Sequence, residues 1–337
     1  MTTGLAQLAA LPDWAGGLFR SELTPQVREA GGDVLVWAIA NEQTTASITD
    51  QFKANAGEYH SRFGDSDHFE ALFRQALEAS GIAVPERPLI LDLGSGSGVN
   101  SIVPCRRLFP NARTVATDLS VELLTLLAGY LKQDAAAQVV CVKMDAMGAH
   151  VAGGAFDLVT GTAILHHLDN PWQGIAAAGR ALRPGGHALF FEPFNGWGVI
   201  RLAFERILAE ARLHRQRLDR AVKASLEQMV EALAERTSLE LGSPKLAVMD
   251  DKWLFSRTRV EAFALESGFS HARFVPHLDH ETLYRDVARV HLRLSTGRAD
   301  LDFPAWALDI LASFDAAFTY YAKRELMLEG TIVLTKA

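Results

Sequence analysis

The chain has 337 residues, 49% of them hydrophobic and 22% charged, with a formal net charge of −7. This length predicts one α/β core carrying sizeable additions, or two domains, and the composition excludes disordered and fibrous classes. The acidic balance leaves no broad basic field for phosphates, so no nucleic-acid partner is expected.

No apolar run reaches the ~18 to 20 residues of a spanning helix, so no membrane partner is expected either. Met1 to Leu11 lacks a basic segment leading into an apolar run, as a secretory signal would have. Cys105 and Cys141 are too few for a disulfide framework and too far apart for a zinc pair, which fits a cytoplasmic setting.

Residues 1–80 read as a helical N-terminal extension or lid. From Thr24 to Phe73 the apolar positions recur at helical spacing: Leu35, Val36 and Ile39, then Phe52, Tyr59 and Phe63, then Phe69, Leu72 and Phe73. A core follows over 81–193, where short apolar runs alternate with helical segments. The runs are Leu89 to Leu93, Thr114 to Thr117, Gln138 to Lys143, Phe156 to Thr160 and His187 to Glu192. They are apolar throughout, as strands buried on both faces should be.

Residues 194–256 form a helical insertion, with Ile200, Phe204, Ile207, Leu208 and Ala211 tracing one helix face. The chain returns to the core over 257–277, with a helix from Arg257 to Ser267 and a strand from His271 to Val275. A second helical insertion occupies 278–327, and 328–337 holds the last strand. The expected fold is a doubly wound, mostly parallel α/β sheet of seven strands with helical lid insertions.

The most informative segment is Leu89-Ile-Leu-Asp-Leu-Gly-Ser-Gly-Ser-Gly98, a strand entering a glycine-rich turn, with a helix predicted from Val99. Gly94, Gly96 and Gly98 permit backbone angles and close approaches that a side chain would block, and the helix offers free N–H groups. Such turns also serve dinucleotides or simply pack tightly. Asp118 closes the second strand about twenty residues beyond the loop, where a carboxylate can accept from both ribose hydroxyls.

In Asp92-x-Gly94-x-Gly96-x-Gly98 the third glycine falls one residue earlier than a dinucleotide fingerprint requires. Three later segments match in order: Met144-Asp145-Ala146, Phe156 to Pro171, and Arg180-Ala-Leu-Arg-Pro-Gly-Gly186. Together they resemble class I S-adenosylmethionine-dependent methyltransferases of the small-molecule type, over Leu89 to Pro193 and in the final strand, Gly330 to Thr335.

The resemblance implies a Rossmann-like methyltransferase core and S-adenosylmethionine as cofactor. It implies donor contacts from Asp92, Gly94, Ser95, Gly96 and Gly98 in the loop, and from Asp118 and Leu119 at the ribose. Asp145 and Ala146 would read the adenine, and Thr162 would lie in the loop region that closes over the methionine part. Gln51 to Tyr59 resembles a lid helix of such enzymes, with Tyr59 near the donor.

Transfer from an activated sulfonium chiefly needs in-line attack, helped by a base when the acceptor is a phenol or an acidic carbon. His166 and His167, past the fourth strand at the carboxyl ends of the sheet, and Glu192, closing the fifth, are the candidate catalytic residues, with His167 placed first. The alternative is that they only bond loop backbone. His277, His280 and Tyr284, with Trp197 and Trp253, are candidate substrate contacts. The pair in His277-Leu-Asp-His280 could hold a divalent ion, but sequence proximity does not define a site and no metal is assigned.

The expected activity is methyl transfer to an oxygen or carbon of a small, partly hydrophobic metabolite. N-methylation of a small amine, and donor binding without turnover, are the alternatives. A nicotinamide oxidoreductase would want a Tyr-x-x-x-Lys pair, and Tyr320 and Lys323 are one residue too close. The loop after the fourth strand reads Thr160-Gly-Thr-Ala163 rather than the Asn/Asp-Pro-Pro-aromatic loop of base amino methylation. The apolar faces of the insertions suit a pocket lid, a homodimer interface or ordinary core.

Overall fold

The computed structural model describes residues 10–42, 52, 57–58, 61, 64–132 and 138–337. Tyr59 and most of the expected lid helix lie outside the described residues.

Five parallel strands form the centre: β3 (Leu89–Leu93), β4 (Arg113–Asp118), β5 (Val139–Lys143), β6 (Phe156–Thr162) and β7 (Leu182–Pro193). Two further strands, β8 (Phe269–Pro276) and β9 (Glu329–Lys336), continue the sheet, with β9 inserted antiparallel between β7 and β8. The order β5-β4-β3-β6-β7-β9-β8 reverses beside β3, so the crevice at the carboxyl ends of β3 and β4 is where this architecture takes ligands. The continuous apolar runs have the predicted cause. Leu91, Val115, Val159 and Phe190 pack into one apolar cluster, while Ile90, Leu158, Leu189 and Val333 pack into another.

The helices near the sheet are α1 (Ser66–Ser80), α2 (Ile102–Leu108), α3 (Val121–Leu131), α4 (Pro171–Ala181) and α7 (Arg257–Glu266). Helix α1 is capped by Asp65, which accepts from His68 N–H, and stops at Gly81, whose φ of 64° no side chain favours. It buries Leu72 and Phe73 in the cluster that holds Phe191 and Val333. Helix α2 begins at Ile102 rather than Val99, because the backbone of Gly98 first turns back to Ser95 O and then accepts from Ser101 N–H.

The N-terminal extension departs from its helical expectation. Leu23–Glu29 (β1) and Asp33–Ile39 (β2) form an antiparallel hairpin, and β2 joins β5 in parallel at Trp37 and Ala38. Among the described residues the sheet therefore has nine strands instead of seven. Gly31 and Gly32, at φ 63° and 117°, make the turn that a helix would not tolerate. Spacing alone misreads Leu35, Val36 and Ile39, since a short apolar run satisfies both periods; the β-branched and aromatic content of Val34, Val36, Trp37 and Ile39 decides for strand.

Both insertions are helical, with α5 (Trp197–Leu213) and α6 (Arg220–Ser238) in the first and α8 (Leu283–Thr296), α9 (Ala305–Ala317) and α10 (Tyr320–Glu325) in the second. Phe204, Ile207 and Leu226 of the first share one buried cluster with Leu283, Leu292 and Leu311 of the second. Two segments far apart in sequence thus make a single cap. It springs from the ends of β7 and β8, which register shows to be the same end of the sheet: Pro193 pairs with Glu329 and Pro276 with Gly330. Among the described residues no helix is long and apolar enough to cross a membrane.

Candidate active site

The glycine loop is held by its neighbours on both sides. Ser95 N–H donates to Thr117 O at 2.8 Å, and Ser95 Oγ accepts from Thr117 N–H at 3.0 Å, fastening the loop to the end of β4. Gly94 has φ 67°, and a Cβ there would sit 2.5 Å from Ile164 Cδ1. Asp92 is fully buried, its two carboxylate oxygens accepting from Thr160 Oγ1 at 2.6 Å and Ser101 Oγ at 2.7 Å. Burial raises its pKa. Its carboxylate braces the loop from behind rather than facing the cleft.

Asp118 stands where a ribose reader should. Its carboxylate accepts from Gly96 N–H at 2.8 Å and Ser120 N–H at 2.7 Å, and each oxygen keeps acceptor capacity. Burial outweighs these bonds and pushes its pKa up to about 6. With Gly94, Leu119, Met144, Ala146 and Ile164 it lines one cleft, and Phe52 and Lys252 close other parts of the wall. Asp145, beside Ala146, accepts from Met147 N–H at 2.9 Å, while its own N–H donates to Glu42. Thr162 is buried at the end of β6, paired with Phe191.

Beyond β6 the chain makes a strained corner at Ala163, a non-glycine residue at φ 57°. The next residues form a short 3₁₀ turn, Leu165–His167, whose N–H groups point at Glu192. Glu192 Oε1 accepts from Leu165 N–H at 2.7 Å and Ile164 N–H at 3.2 Å, and Oε2 takes His166 N–H at 3.2 Å. The same Oε2 lies 2.6 Å from His166 Nδ1. Nε2 in turn lies 3.4 Å from Asp251 Oδ1, so a carboxylate faces each ring nitrogen and both nitrogens carry protons in the charged ring. Burial works against a charge on His166, but Glu192 and Asp251 outweigh it and push its pKa up to about 9.

His167 lives in the opposite environment. Its Nδ1 is 2.9 Å from Asp250 O and its ring meets Phe52 edge-on at 5.4 Å. Burial, reinforced by the neighbouring His166 charge, pulls its pKa down to about 3. It is a neutral wall residue, weakly basic, and His166 is the more basic of the two rings.

A chamber of about 750 Å³ opens on the cap side, lined by His166, His280, His291, Leu283, Val287 and Glu329 among others. His167 and Asp250 wall both this chamber and the donor cleft. An adjoining compartment of about 270 Å³ contains Trp197, His277, Arg236 and Asp251. Of the candidate substrate contacts, Trp197, His277 and His280 therefore line these two cavities. Trp253 and Tyr284 do not: Trp253 packs in the core with Nε1–H bonded to Leu168 O at 2.7 Å, and Tyr284 is fully buried inside the cap against Phe318. His277 and His280 line different compartments, and the described groups that could hold a metal ion reduce to His166, His167 and Asp251.

Several site residues escaped sequence reasoning. Asp250, Asp251 and Lys252 reach back to the histidine turn: Lys252 N–H donates to His166 O at 2.8 Å and Lys252 Nζ to His167 O at 2.6 Å. Arg236, on α6, lies 4.0 Å from Asp251 and keeps a buried Nε without a partner among the described residues. The run Met249-Asp-Asp-Lys-Trp253 was a visible signal, but it reads equally as a solvated loop.

The donor set suits S-adenosylmethionine. A glycine-rich loop lies beside a carboxylate able to take two hydroxyls, next to the apolar Leu119, Met144 and Ala146 that suit a flat base. Residues 91–188 match a family model described as a methyltransferase domain. With the strand order and the loop, this makes the central segment a class I S-adenosylmethionine-dependent methyltransferase domain. The biotin biosynthesis bifunctional protein BioCD of Bordetella avium is 32% identical over 165 residues, 45% of this chain and 32% of that protein. The chain thus spans about a third of that relative's length.

Among solved structures, a phosphoethanolamine N-methyltransferase of Haemonchus contortus, in complex with S-adenosylhomocysteine, aligns at 17% identity and a TM-score of 0.48. The alignment covers 84% of this chain and 57% of that one. The geranyl diphosphate C-methyltransferase of Streptomyces coelicolor aligns at 12% identity and a TM-score of 0.48, covering 81% and 76%.

Proposed function

We propose that the chain transfers the methyl group of S-adenosylmethionine to an oxygen or carbon of a small metabolite, with His166 receiving the acceptor's proton. The observation that carries this is the series Glu192, His166, Asp251, set where His167 and Asp250 wall both cleft and chamber. Bound in the cleft, the donor supplies an electrophilic methyl group. Asp118 and the loop would hold its ribose and backbone-facing atoms, while Leu119, Met144 and Ala146 would pack on its base.

Glu192 is a positioning residue: buried, with every described bond spent on the turn and on His166, it fixes the tautomer and leaves Nε2 toward the chamber. In the charged ring Asp251 accepts from Nε2–H; once that proton has left, Nε2 is open to the acceptor's proton. Neutral His166 is the form that accepts a proton, so activity should rise with pH toward about 9. The biosynthetic name of the curated relative supports a metabolite as acceptor.

Incubation with S-adenosylmethionine carrying a labelled methyl group, over a panel of phenols, carboxylic acids and 1,3-dicarbonyls, should give a labelled product by mass spectrometry. Calorimetry should show binding of S-adenosylmethionine and S-adenosylhomocysteine and none of NAD. Binding of NAD alone, or of none of the three, would refute the reading; donor binding with no labelled product across the panel would leave a protein that binds without turnover.

A further inference from the structure

One wall of the chamber bears on the shape of the acceptor. Helix α8 presents Leu283, Val287, Val290 and Leu294 to it, at steps of four, three and four residues, which place them on one helix face. That stripe runs about 16 Å along the helix axis. Leu283 and Val287 are 3% and 5% exposed, whereas Val290 and Leu294 are 52% and 53% exposed. The stripe therefore begins inside the cap and ends at an open mouth. Leu278, 47% exposed, lines the same chamber.

Large apolar side chains gathered at the mouth of one cavity are costly to leave in water and mark a binding surface. Neither Val290 nor Leu294 belongs to the apolar cluster that holds the cap together. The chamber also has polar lining, His166, Asp251, His291 and Glu329 among others. A compact ring held beside His166 would leave the outer half of the stripe unused. The chamber volume of about 750 Å³ suits something longer.

Building on the methyl-transfer reading, we infer that the acceptor is an amphiphile: a polar head carrying the accepting atom beside His166, and an unbranched aliphatic tail laid along the α8 stripe toward Leu294. The stripe and His166 line one and the same chamber, which favours a substrate over a second protein surface, since that would cover the mouth without filling the chamber.

The test is calorimetric titration of the full chain, loaded with S-adenosylhomocysteine, with straight-chain primary alcohols from butanol to dodecanol, whose neutral head makes the tail the only variable. Affinity should rise about fourfold per added methylene and level off once the tail passes the mouth. In a Val290→Asp, Leu294→Asp double variant the longest alcohols should lose about tenfold or more, with short alcohols and S-adenosylhomocysteine unchanged. A flat series, or increments that survive in the variant, would overturn the inference while leaving methyl transfer intact. Failure to load S-adenosylhomocysteine would overturn both. A wild-type dimer in sedimentation that the double variant dissociates would assign the stripe to a second copy and also overturn it.

Discussion

Replacing Glu192 by Gln keeps the side chain's length and an acceptor for Leu165 N–H, and removes the charge that faces His166. Native His166 titrates at about 9 instead of 6.5; burial opposes its charge, Glu192 is the largest influence in its favour, and Asp251 follows. The gap between 6.5 and about 9 corresponds to about 3 kcal/mol. Asp251 remains in the variant, so about 2 kcal/mol should be lost and the midpoint should fall by more than about one pH unit.

The sign follows from linkage: the charged pair stabilises the fold in full below pH 6.5, and that stabilisation disappears as pH rises through about 9. Between these limits the native chain should lose about 3 kcal/mol of unfolding free energy from this group, and the variant about 1 kcal/mol. NMR of the histidine rings gives the midpoint, and urea unfolding at both ends of the window gives the free energies. An unchanged midpoint, or stability curves that run parallel in native and variant chains, would show that the carboxylate does not hold the proton.

His166→Gln should lower turnover about 100-fold or more while S-adenosylhomocysteine affinity stays within about twofold; retained turnover would remove His166 as the proton acceptor. Asp118→Ala should weaken S-adenosylmethionine binding by about 1 to 3 kcal/mol in calorimetry, the cost of unpaired hydroxyls. Because the Asp118 carboxyl sits near pH 6, donor affinity in the native chain should also fall as pH drops through that value, and a flat profile would argue against its ribose role. Gly94→Ala puts a methyl against Ile164 at a backbone angle that costs about 1 to 2 kcal/mol by itself, so donor affinity should fall about tenfold or more. Full binding by that variant would mean the loop shape is not what holds the donor.

The core strands and the glycine loop were legible because each depends on local chemistry. A strand buried on both faces needs an unbroken apolar run, and a turn at φ 67° beside Ile164 needs glycine, so Leu89 to Gly98 declares itself. The helical character of both insertions was legible for the same reason. The β1–β2 hairpin was not, since the helical and extended periods coincide over seven residues and its partner, β5, lies about a hundred residues away.

The ranking of the two histidines shows where sequence stops. Adjacent and chemically identical, His166 and His167 acquire opposite basicity because Glu192, 26 residues on, and Asp251, 85 residues on, hold a proton on His166, while burial and the neighbouring His166 charge keep His167 neutral. Asp251 itself stands in an acidic run that reads equally as a solvated loop. Nor could either insertion show that it packs with the other, because an amphipathic face specifies that it must be covered and leaves the covering surface to the fold. Sequence by itself determined what the backbone must do at the loop and in the strands. Tertiary packing alone decided which charges meet at the two ring nitrogens of His166, because burial and Coulomb interaction act through space between residues that the chain keeps far apart.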